Sequence, residues 1–498
     1  MVKRDAIIKL KCGNCIHYFG KCSKEGFKKD DDACPDHIPI KALFFDNDEK
    51  NPKFIPLKLA SYITETGVYA TTSDTNETFF FNDGIYHNKA SIKIKQSIQG
   101  ILVDSTSKRR IDETINCVKI DTYINRDDCE LPNHLIIVNN GIYNFQTDKL
   151  EMYDPDYFST AKLPITYNPK ATCKTFLKFL SEVIDKEEIN IIQEIFGYLL
   201  LKDYRYQKAF CFVGTGANGK STLLNVMIWF LGRNNITSVS LQDLTNNRFS
   251  SARLYHKFAN IYPDLSDKAL RETAIFKMLT GGDNIPAEQK HRHGFEFVNY
   301  AKLIWSANRL PKVKNDDSMA YFRRWLIINF PNRFEGKNSD PNLLEKLTTE
   351  EELSGIFNWA LIGYRRLLKQ NGFSHSKSTE ETEELYIRMS DPIKAFLMDC
   401  VADYGATDKE MKELGLVLKW YASGHISKAV LYGEYVKYCQ KLHLPACANN
   451  VFARELLSHG HGLKAGQKGT GKDRIHIWEG IRNIEDVEDD QQEKLADE

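Results

Sequence analysis

Apolar residues along this chain fall either in short unbroken runs or at helical spacing, the pattern of a mixed α/β protein. Residues 209–213 are entirely apolar, which is typical of a buried parallel strand. Beyond a glycine-rich turn, apolar residues recur every three or four positions from 223 to 231, which predicts a helix. The same region contains further predicted strands at 257–264, 301–308 and 326–330. Short strands that alternate with helices predict a parallel sheet.

Residues 41–205 also mix strand and helix patterns, without a group of residues that suggests catalysis. Strands are predicted near 67–72, 78–81 and 135–138, and helical stretches over 92–102 and 175–201. Taken alone, this region is a mixed α/β and helical domain.

The C-terminal pattern consists of three helices followed by a basic strand–turn–strand, which predicts a winged helix. The helices are expected near 393–401, 431–442 and 450–458. Lys468, Lys472 and Arg474 fall in or beside the turn, where they can hold duplex phosphates. A protein-docking module is the alternative, because winged folds serve both uses.

Residues 214–222 have the spacing G-x-x-x-x-G-K-S of a phosphate-binding loop. The predicted nucleotide-binding residues are Gly214, Thr215, Gly216, Ala217, Asn218, Gly219, Lys220, Ser221 and Thr222. The glycines allow backbone N–H groups to turn inward, Lys220 can reach the β- and γ-phosphates, and the Ser221 hydroxyl can ligate Mg²⁺. Because a strand precedes the loop and a helix follows it, the sequence predicts a site for a nucleoside triphosphate.

Two polar residues at predicted strand ends complete the predicted catalytic site. Asp264 ends the strand 257–264 and is expected to hold Mg²⁺, while Asp267 is a candidate to polarise the attacking water. Asn308 ends the strand 301–308, at the edge where ligands sit in open α/β sheets, and is expected to orient water or sense the γ-phosphate. Capping or turn roles remain the alternatives for both residues.

Two basic segments suggest function beyond the loop. Arg323 and Arg324 precede the strand 326–330, and one of them is expected to act on the γ-phosphate of a neighbouring subunit, unless both are surface cations. A predicted hairpin carries Lys290, Arg292 and His293 in its turn, which suits contacts with DNA phosphates in a pore. A solvated basic loop is the alternative for this turn.

The motif set resembles that of superfamily 3 helicases, specifically the phage/plasmid and poxvirus primase-helicase branch. Gly-Ala-Asn-Gly-Lys-Ser-Thr, Ala-Asn-Ile-x-x-Asp-Leu-Ser, Leu-Thr-Gly-Gly-Asp, Ser-Ala-Asn-x-Leu-Pro and Phe-Arg-Arg-Trp occur in the family's order and spacing. The resemblance implies an AAA+ type P-loop ATPase that assembles as a hexameric ring and moves along one DNA strand. It assigns the pore contact to Lys290, the sensor to Asn308 and the trans arginine to Arg323 or Arg324.

Two departures from the family's pattern change the expectation. Relatives often have two adjacent acids at the second motif, but here Pro263 precedes Asp264. About 40 residues precede the family-like region, too few for the polymerising domain of primase-competent relatives. The expectation is therefore a helicase without its own primase, with a separate primase or polymerase as a candidate partner.

Composition and charge narrow the class of protein but do not identify a function. The chain has 498 residues, 42% hydrophobic and 27% charged, as in an ordinary globular protein. Eight of its 67 acidic residues and one of its 67 basic residues fall in 485–498, so the remaining body has a net charge of +7, which permits nucleic-acid binding. No apolar run is long enough for a membrane span and the N-terminus lacks a signal peptide, so a cytoplasmic location is expected, in a prokaryotic cell or an infected host cell.

Four of the eleven cysteines crowd the N-terminus and predict a structural zinc site. Cys12 and Cys15 have CxxC spacing, and Cys22 and Cys34 can complete a tetrahedral thiolate site. An iron–sulfur cluster and unligated thiols remain alternatives, and the other seven cysteines are expected to be ordinary thiols.

The predicted organisation has six segments, built around a P-loop ATPase core at 206–335. They are a cysteine-rich segment at 1–40, a mixed α/β plus helical domain at 41–205, the core, a helical segment and linker at 336–385, a winged-helix-like DNA-binding domain at 386–484, and an acidic disordered tail at 485–498. The predicted function is an ATP-dependent helicase that acts on single-stranded and forked DNA in replication of a virus, plasmid or integrated element. An origin-melting ATPase and a nucleotide-gated scaffold with weak turnover are the alternatives.

Overall fold

The structure is a computed structural model of the chain, and it describes most of residues 43–483. Within that range the description omits 47–51, 126–129, 215, 271, 289–293, 314–317, 337–339, 375–376, 404, 408–409, 412–415, 417, 443, 445, 460–461 and 470–473. The chain forms two compact units, Met1–Lys162 and Leu163–Glu498. The mixed α/β class predicted from the sequence is confirmed.

The first unit combines helices with two small sheets. Its helices are α1 (Pro56–Thr66), α2 (Ala90–Leu102) and α3 (Lys108–Asp121). Its strands are β1 (Tyr69–Thr72), β2 (Thr78–Asn82), β3 (Ile85–His87), β4 (Tyr123–Ile124), β5 (Leu135–Val138), β6 (Gly141–Asn144) and β7 (Lys149–Glu151). One sheet has the order β3-β2-β1-β4 and the other is the antiparallel meander β5-β6-β7. The strand and helix predictions in this region are confirmed.

The second unit is built on a five-stranded parallel sheet. Its strands are β8 (Ala209–Val213), β9 (Ile236–Thr237), β10 (Ala259–Tyr262), β13 (Lys302–Ala307) and β14 (Trp325–Asn329). Their order in the sheet is β14-β8-β13-β10-β9, and every neighbouring pair is parallel. After β8 the chain crosses to the far edge, and after β13 it crosses to the other side of β8. The order of strands therefore reverses between β8 and β13, the position where doubly wound sheets open a ligand crevice.

Helices of the second unit cover this sheet and extend beyond it. Those before and within the core are α4 (Lys174–Val183), α5 (Lys186–Tyr198), α6 (Lys220–Leu231), α7 (Leu241–Asn246), α8 (Ala274–Gly281) and α9 (Met319–Phe322). Those after it are α10 (Leu343–Leu347), α11 (Glu350–Gln370), α12 (Thr379–Ser390), α13 (Pro392–Cys400), α14 (Lys428–Lys441) and α15 (Asn449–Ser458). An antiparallel hairpin, β11 (Asn284–Ala287) and β12 (Phe295–Val298), lies between α8 and β13, as predicted.

The sheet buries both of its faces, which explains why its central strands consist mostly of apolar residues. Every residue of β8 and of β13 is buried. On one face Trp305 and Trp325 pack together at 5.5 Å between ring centroids, and Phe276 of α8 stacks on Trp325 at 4.9 Å. Aromatic burial of this kind contributes strongly to a core and holds α8 against the sheet.

Helices α4 and α5 pack in the second unit, whereas the sequence pattern predicts them as part of an N-terminal domain at 41–205. Helix α5 crosses α11 so closely that a Cβ on Gly197 would lie 2.3 Å from the Tyr364 nitrogen. A Cβ on Gly363 would lie 2.2 Å from the Gln193 carbonyl oxygen. The buried Glu194 carboxylate accepts hydrogen bonds from Arg366 and from the Ser374 backbone. These contacts, between residues about 170 positions apart, join the helices before and after the core.

The polar end of the predicted helical segment and linker at 336–385, residues 374–384, is in part the helix α12. Ser378 and Glu381 form a capping box, in which each side chain accepts from the other residue's backbone N–H. Tyr386 lies buried between Tyr321 and Trp325, and its hydroxyl donates to the Pro311 carbonyl. The linker prediction was wrong here because the polar residues cover one face of a helix whose other face packs on the core.

The C-terminal segment forms its own apolar core around helices α13, α14 and α15. It includes β15 (Val401–Ala402), β16 (Leu418–Ser427), β17 (Lys464–Lys468) and β18 (Ile475–Asn483), in the sheet order β15-β16-β18-β17. Phe396, Tyr435 and Phe452 bring the three helices together, with Tyr435 stacked on Phe452 at 4.7 Å. Its helices and strands follow the chain as one helix, two strands, two helices and two strands.

Candidate functional site

The loop that joins β8 to α6 has a backbone conformation that requires glycine at two of its positions. Gly214 and Gly219 have φ angles of +157° and +90°, and Ala217 is also left-handed at +59°. A Cβ on Gly219 would lie 2.7 Å from Val183, and one on Gly214 would lie 2.3 Å from the Asn218 side chain. The Ala217 carbonyl accepts a hydrogen bond from Phe334 at 2.7 Å. Both glycines are therefore required by space as well as by conformation.

Lys220 begins helix α6, and its ammonium group folds back into this loop. Its Nζ donates to the Gly214 carbonyl at 2.6 Å and to the Asn218 Oδ1 at 3.0 Å. The residue is buried, and this burial lowers the pKa of Lys220 to about 8 against the opposing effects of Cys211 and Asp264. A buried cation at a helix N-terminus, facing neutral oxygen atoms, suits a bound polyphosphate. The residues present therefore fit the predicted nucleotide.

Asp264 and Asn308 lie at the carboxyl ends of the parallel strands, as the loop does. Asp264 is exposed and lies two residues beyond β10, because the strand ends at Tyr262 and not at Asp264 as predicted. Its segment is fixed because the Ser306 hydroxyl donates to the Pro263 carbonyl and the Leu265 N–H donates to the Ser306 carbonyl at 2.8 Å. Asn308 is exposed directly after β13, whose last carbonyl accepts from Gly214 at 3.3 Å. Loop, carboxylate and amide thus come from three adjacent parallel strands.

Ser306 was missed by the sequence analysis, although it positions the acid. The signal was its place in the run Ser306-Ala307-Asn308, where a hydroxyl follows the apolar residues 303–305. It is buried, so its hydroxyl needs a partner, and the carbonyl before Asp264 supplies one.

Arg323 and Arg324 lie at the amino ends of the parallel strands, whereas the loop lies at their carboxyl ends. They precede β14, whose first residue pairs with Ala209 and whose last pairs with Val213. At ~3.3 Å per residue, Arg323 is about 20 Å from the loop along the strand direction. An arginine at this end of the sheet cannot reach the loop of its own chain.

The two arginines have different environments. Arg323 is exposed, whereas Arg324 is buried and its Nη1 donates to the Ala320 carbonyl. Burial and the neighbouring charge of Arg323 lower the pKa of Arg324, with Asp283 opposing them. Only Arg323 is therefore placed to contact another molecule.

Several predicted residues lie outside the described part of the chain. They are Thr215 of the loop, the hairpin residues Lys290, Arg292 and His293, the turn residue Lys472, and Cys12, Cys15, Cys22 and Cys34. The cysteines that the structure describes are free, and no group of three metal-ligating side chains occurs among the described residues. No helix in the described ranges is long and apolar enough to span a membrane.

The described basic residues of the C-terminal turn lie on the hairpin β17–β18. Lys468 ends β17 and Arg474 precedes β18, and both are exposed. Lys468 Nζ lies 2.9 Å from His425 Nε2 on β16, so the lysine ammonium donates a hydrogen bond to the imidazole.

Comparisons with known proteins agree with the motif order. The family model described as "D5 N terminal like" matches residues 61–185, and a family of unknown function (DUF5906) matches residues 212–324. A protein of Acanthamoeba polyphaga mimivirus named "Putative helicase" is 26% identical over 340 residues, 62% of this chain and 35% of that protein. A protein of Invertebrate iridescent virus 6 with the same description is 22% identical over 365 residues, 61% of this chain and 36% of its own length.

The chain thus spans about a third of the length of these viral relatives. Among solved structures, the apo structure of the NrS-1 C terminal region matches with a TM-score of 0.47 and 13% identity, over 85% of this chain and 98% of that one. The family model and the viral relatives confirm the resemblance to the viral and phage primase-helicase family of superfamily 3 type.

Proposed function

We propose that this chain is the ATP-dependent motor of a ring-forming DNA helicase that acts in replication of a virus, plasmid or integrated element. The observation that carries the proposal is the meeting of Lys220, Asp264 and Asn308 at the ends of adjacent parallel strands. A cationic loop, a carboxylate and an amide in this arrangement are the groups that phosphoryl transfer to water requires. The doubly wound parallel sheet supports an AAA+ type core.

Each of these residues has a role in the proposed hydrolysis of ATP. The backbone of the loop and Lys220 would bind the phosphates, and Ser221 and Asp264 would hold Mg²⁺. When bound, Mg²⁺ supplies Lewis-acid stabilisation of the charge on the phosphate oxygens. Asn308 orients the attacking water, and Asp267, three residues after Asp264 and exposed, is the candidate to polarise it.

Arg323 completes the site of a neighbouring subunit in this proposal. It is exposed and about 20 Å from its own loop along the sheet, so its guanidinium can stabilise a γ-phosphate only in trans. Each subunit then needs a neighbour on both sides, which a closed ring provides and a monomer does not. We expect six subunits, as the family resemblance implies.

DNA contacts are proposed at two places. The sequence between β11 and β12 contains Lys290, Arg292 and His293, which are expected to follow one DNA strand through the ring. Lys468, Lys472 and Arg474 are expected to hold duplex phosphates at the C-terminal domain, which the proposal treats as a winged helix. Single-stranded and forked DNA are therefore the proposed partners.

The experiment is an ATPase assay with and without single-stranded DNA, run beside a strand-displacement assay on a forked duplex. We expect DNA-stimulated hydrolysis and ATP-dependent unwinding, both abolished by Lys220→Ala and retained by the control Lys268→Ala, an exposed lysine outside the loop. Hydrolysis with melting of a closed duplex but no fork unwinding indicates an origin-melting ATPase. Negligible turnover indicates a nucleotide-gated scaffold, the alternative that the lone acid after Pro263 favours.

A further inference from the structure

The segment 263–269, which follows β10, has no regular secondary structure, yet it is anchored near both of its ends. Near its start, the N–H of the buried Leu265 donates to the Ser306 carbonyl at 2.8 Å. Just beyond its end, the N–H of the buried Leu270 donates at 2.8 Å to a carbonyl that follows β13. Asp267 lies between these two anchors, so neither of them fixes its backbone directly.

A side chain from helix α7 holds the backbone on both sides of Asp267. Gln242 is the second residue of this helix. Its Nε2 donates to the Ser266 carbonyl at 2.9 Å and to the Lys268 carbonyl at 3.1 Å. These two carbonyls belong to the residues immediately before and after Asp267. A side-chain amide has two N–H donors, and Gln242 uses both of them here.

Helix α7 is itself fixed to the parallel sheet. Leu241 and Leu244 are buried in the core, and the Ser240 hydroxyl caps the helix by accepting a backbone N–H at 3.0 Å. Just before the helix, Val239 accepts a hydrogen bond from the Asn260 side chain at 2.9 Å and donates one to it at 2.7 Å. Asn260 belongs to β10, so α7 is joined to the strand from which the acidic segment emerges.

The orientation of the Gln242 amide follows from the two carbonyl groups that it faces. Only its nitrogen can donate, and the reverse orientation would place Oε1 against two other oxygen atoms. In the observed orientation Oε1 is buried and has no hydrogen-bond partner among the described residues. A buried acceptor without a partner costs free energy, which the two hydrogen bonds of the amide nitrogen offset. The amide is therefore placed for the backbone around Asp267.

We propose that Gln242 is a positioning residue for ATP hydrolysis, which holds the Asp267 carboxylate where it can polarise the attacking water. The inference rests on the proposed hydrolysis of ATP and deepens it, because it names the group that places the candidate base. Placement matters, since an error of about 1 Å can cost roughly 100-fold in rate. Gln242 donates to the acidic segment and not to the loop 214–222, so its loss should slow turnover without weakening nucleotide binding.

The first test compares turnover with nucleotide affinity in the full-length protein. Gln242→Met removes both donors and keeps the length of the side chain, and we expect kcat for ATP to fall roughly 10- to 100-fold. The dissociation constant of a fluorescent ATP analogue should stay within about twofold of the wild-type value. Gln242→Glu keeps the shape, but its ionised carboxylate donates no hydrogen bond. It should show the same loss, and it decides the question if Gln242→Met does not fold.

A double-mutant cycle separates a positioning role from a general structural one. If Gln242 acts through Asp267, then Gln242→Met should lower kcat in the wild-type background but not in the Asp267→Asn background. If the two losses of kcat multiply in the double variant, Gln242 does not act through Asp267 and the inference is wrong.

Thr245→Ala is the matched control on the same helix. The Thr245 hydroxyl donates to the Gln242 backbone carbonyl at 3.0 Å, so its removal disturbs α7 and leaves the amide in place. This variant should keep the wild-type kcat, and a loss equal to that of Gln242→Met would contradict a specific role of the amide.

Failure of the inference and failure of the proposed function give different results. If Asp267→Asn loses turnover while Gln242→Met keeps the wild-type kcat, the positioning role is wrong and the proposed hydrolysis stands. If the wild-type protein hydrolyses no ATP, with or without single-stranded DNA, the proposed function fails and the inference fails with it.

Discussion

At the scale of single residues, the assigned roles depend on where the fold places chemically similar side chains. Arg323 and Arg324 are adjacent and identical, so sequence patterns could not separate them. The structure does, because Arg324 fills a space beside α8 and Arg323 faces outward. In contrast, the loop 214–222 was predictable, since its spacing and its flanking strand and helix are all local in the sequence.

The burial of Lys220 gives a pH dependence that can be measured. Its lowered pKa of about 8 means that the nucleotide-free protein loses this positive charge as the pH rises above 8. We expect kcat/KM for ATP to fall through an apparent pKa near 8, because kcat/KM reports the free enzyme. At saturating ATP the corresponding fall in kcat should occur at higher pH, since bound phosphate favours the charged lysine. A kcat/KM profile that stays flat to pH 9.5 would contradict the assignment.

Arg323→Ala and Arg324→Ala should differ in which property they lose, ATP turnover in the first and stability in the second. Arg324 is buried and bonded to the Ala320 carbonyl, so its removal should lower the free energy of unfolding by about 1–3 kcal/mol. Arg323 is exposed, so its removal should change stability by less than about 0.5 kcal/mol and yet eliminate hydrolysis. Thermal unfolding and steady-state ATPase assays on the pair provide the comparison. If Arg323→Ala keeps full ATP turnover, Arg323 takes no part in hydrolysis.

At the scale of elements, predictions succeeded where a signal is local and failed where packing is decided by distant residues. The hairpin β11–β12 and the core strands follow from contiguous patterns. The crossing of α5 and α11 joins residues about 170 positions apart, and no local pattern marks Gly197 or Gly363 as its contact points. Helix α12 carried a readable capping box at Ser378 and Glu381, which the polar composition of the run obscured.

The crossing of α5 and α11 should be intolerant of any added side chain. In Gly197→Ala or Gly363→Ala, the new Cβ would meet backbone atoms at 2.3 or 2.2 Å, which cannot shift without moving a helix. We expect each change to cost at least about 1–3 kcal/mol of stability, measured by denaturant unfolding. Gly433→Ala in α14 is the control, since its Cβ would meet nothing within 4 Å, and it should be neutral or slightly stabilising. Equal effects at all three positions would refute the close crossing.

At the scale of the whole molecule, an ionic junction connects the parallel-sheet core to the C-terminal segment. Lys312, four residues after Asn308, contacts Asp391 at 2.8 Å and Glu455 at 3.0 Å. Burial would raise the pKa of Asp391, but hydrogen bonds from His459 and Lys312 outweigh it and lower the pKa to about 2. The segment after the predicted sensor is thus joined to helix α15 through Lys312 and Glu455.

Asp391 should contribute stability that depends on pH. Because its folded pKa lies below the usual value of about 4, this contribution is fully present above pH 4 and is lost as the pH falls through 2. Asp391→Asn should therefore cost on the order of 2 kcal/mol at pH 7, and the difference from the wild type should shrink in acid. Glu335→Gln, in an exposed pair with Arg333, should show no such difference. A constant difference between Asp391→Asn and wild type across this range would contradict the account.

Mixing two inactive variants shows whether each nucleotide site is completed by a neighbouring subunit. Lys220→Ala lacks the loop charge, and Arg323→Ala lacks the arginine offered to the next subunit. In mixed rings some interfaces combine an intact loop with an intact arginine, so the account predicts that ATP hydrolysis partly recovers, with a maximum at intermediate ratios. No recovery at any ratio, in mixtures shown to contain both variants in one assembly, would contradict it.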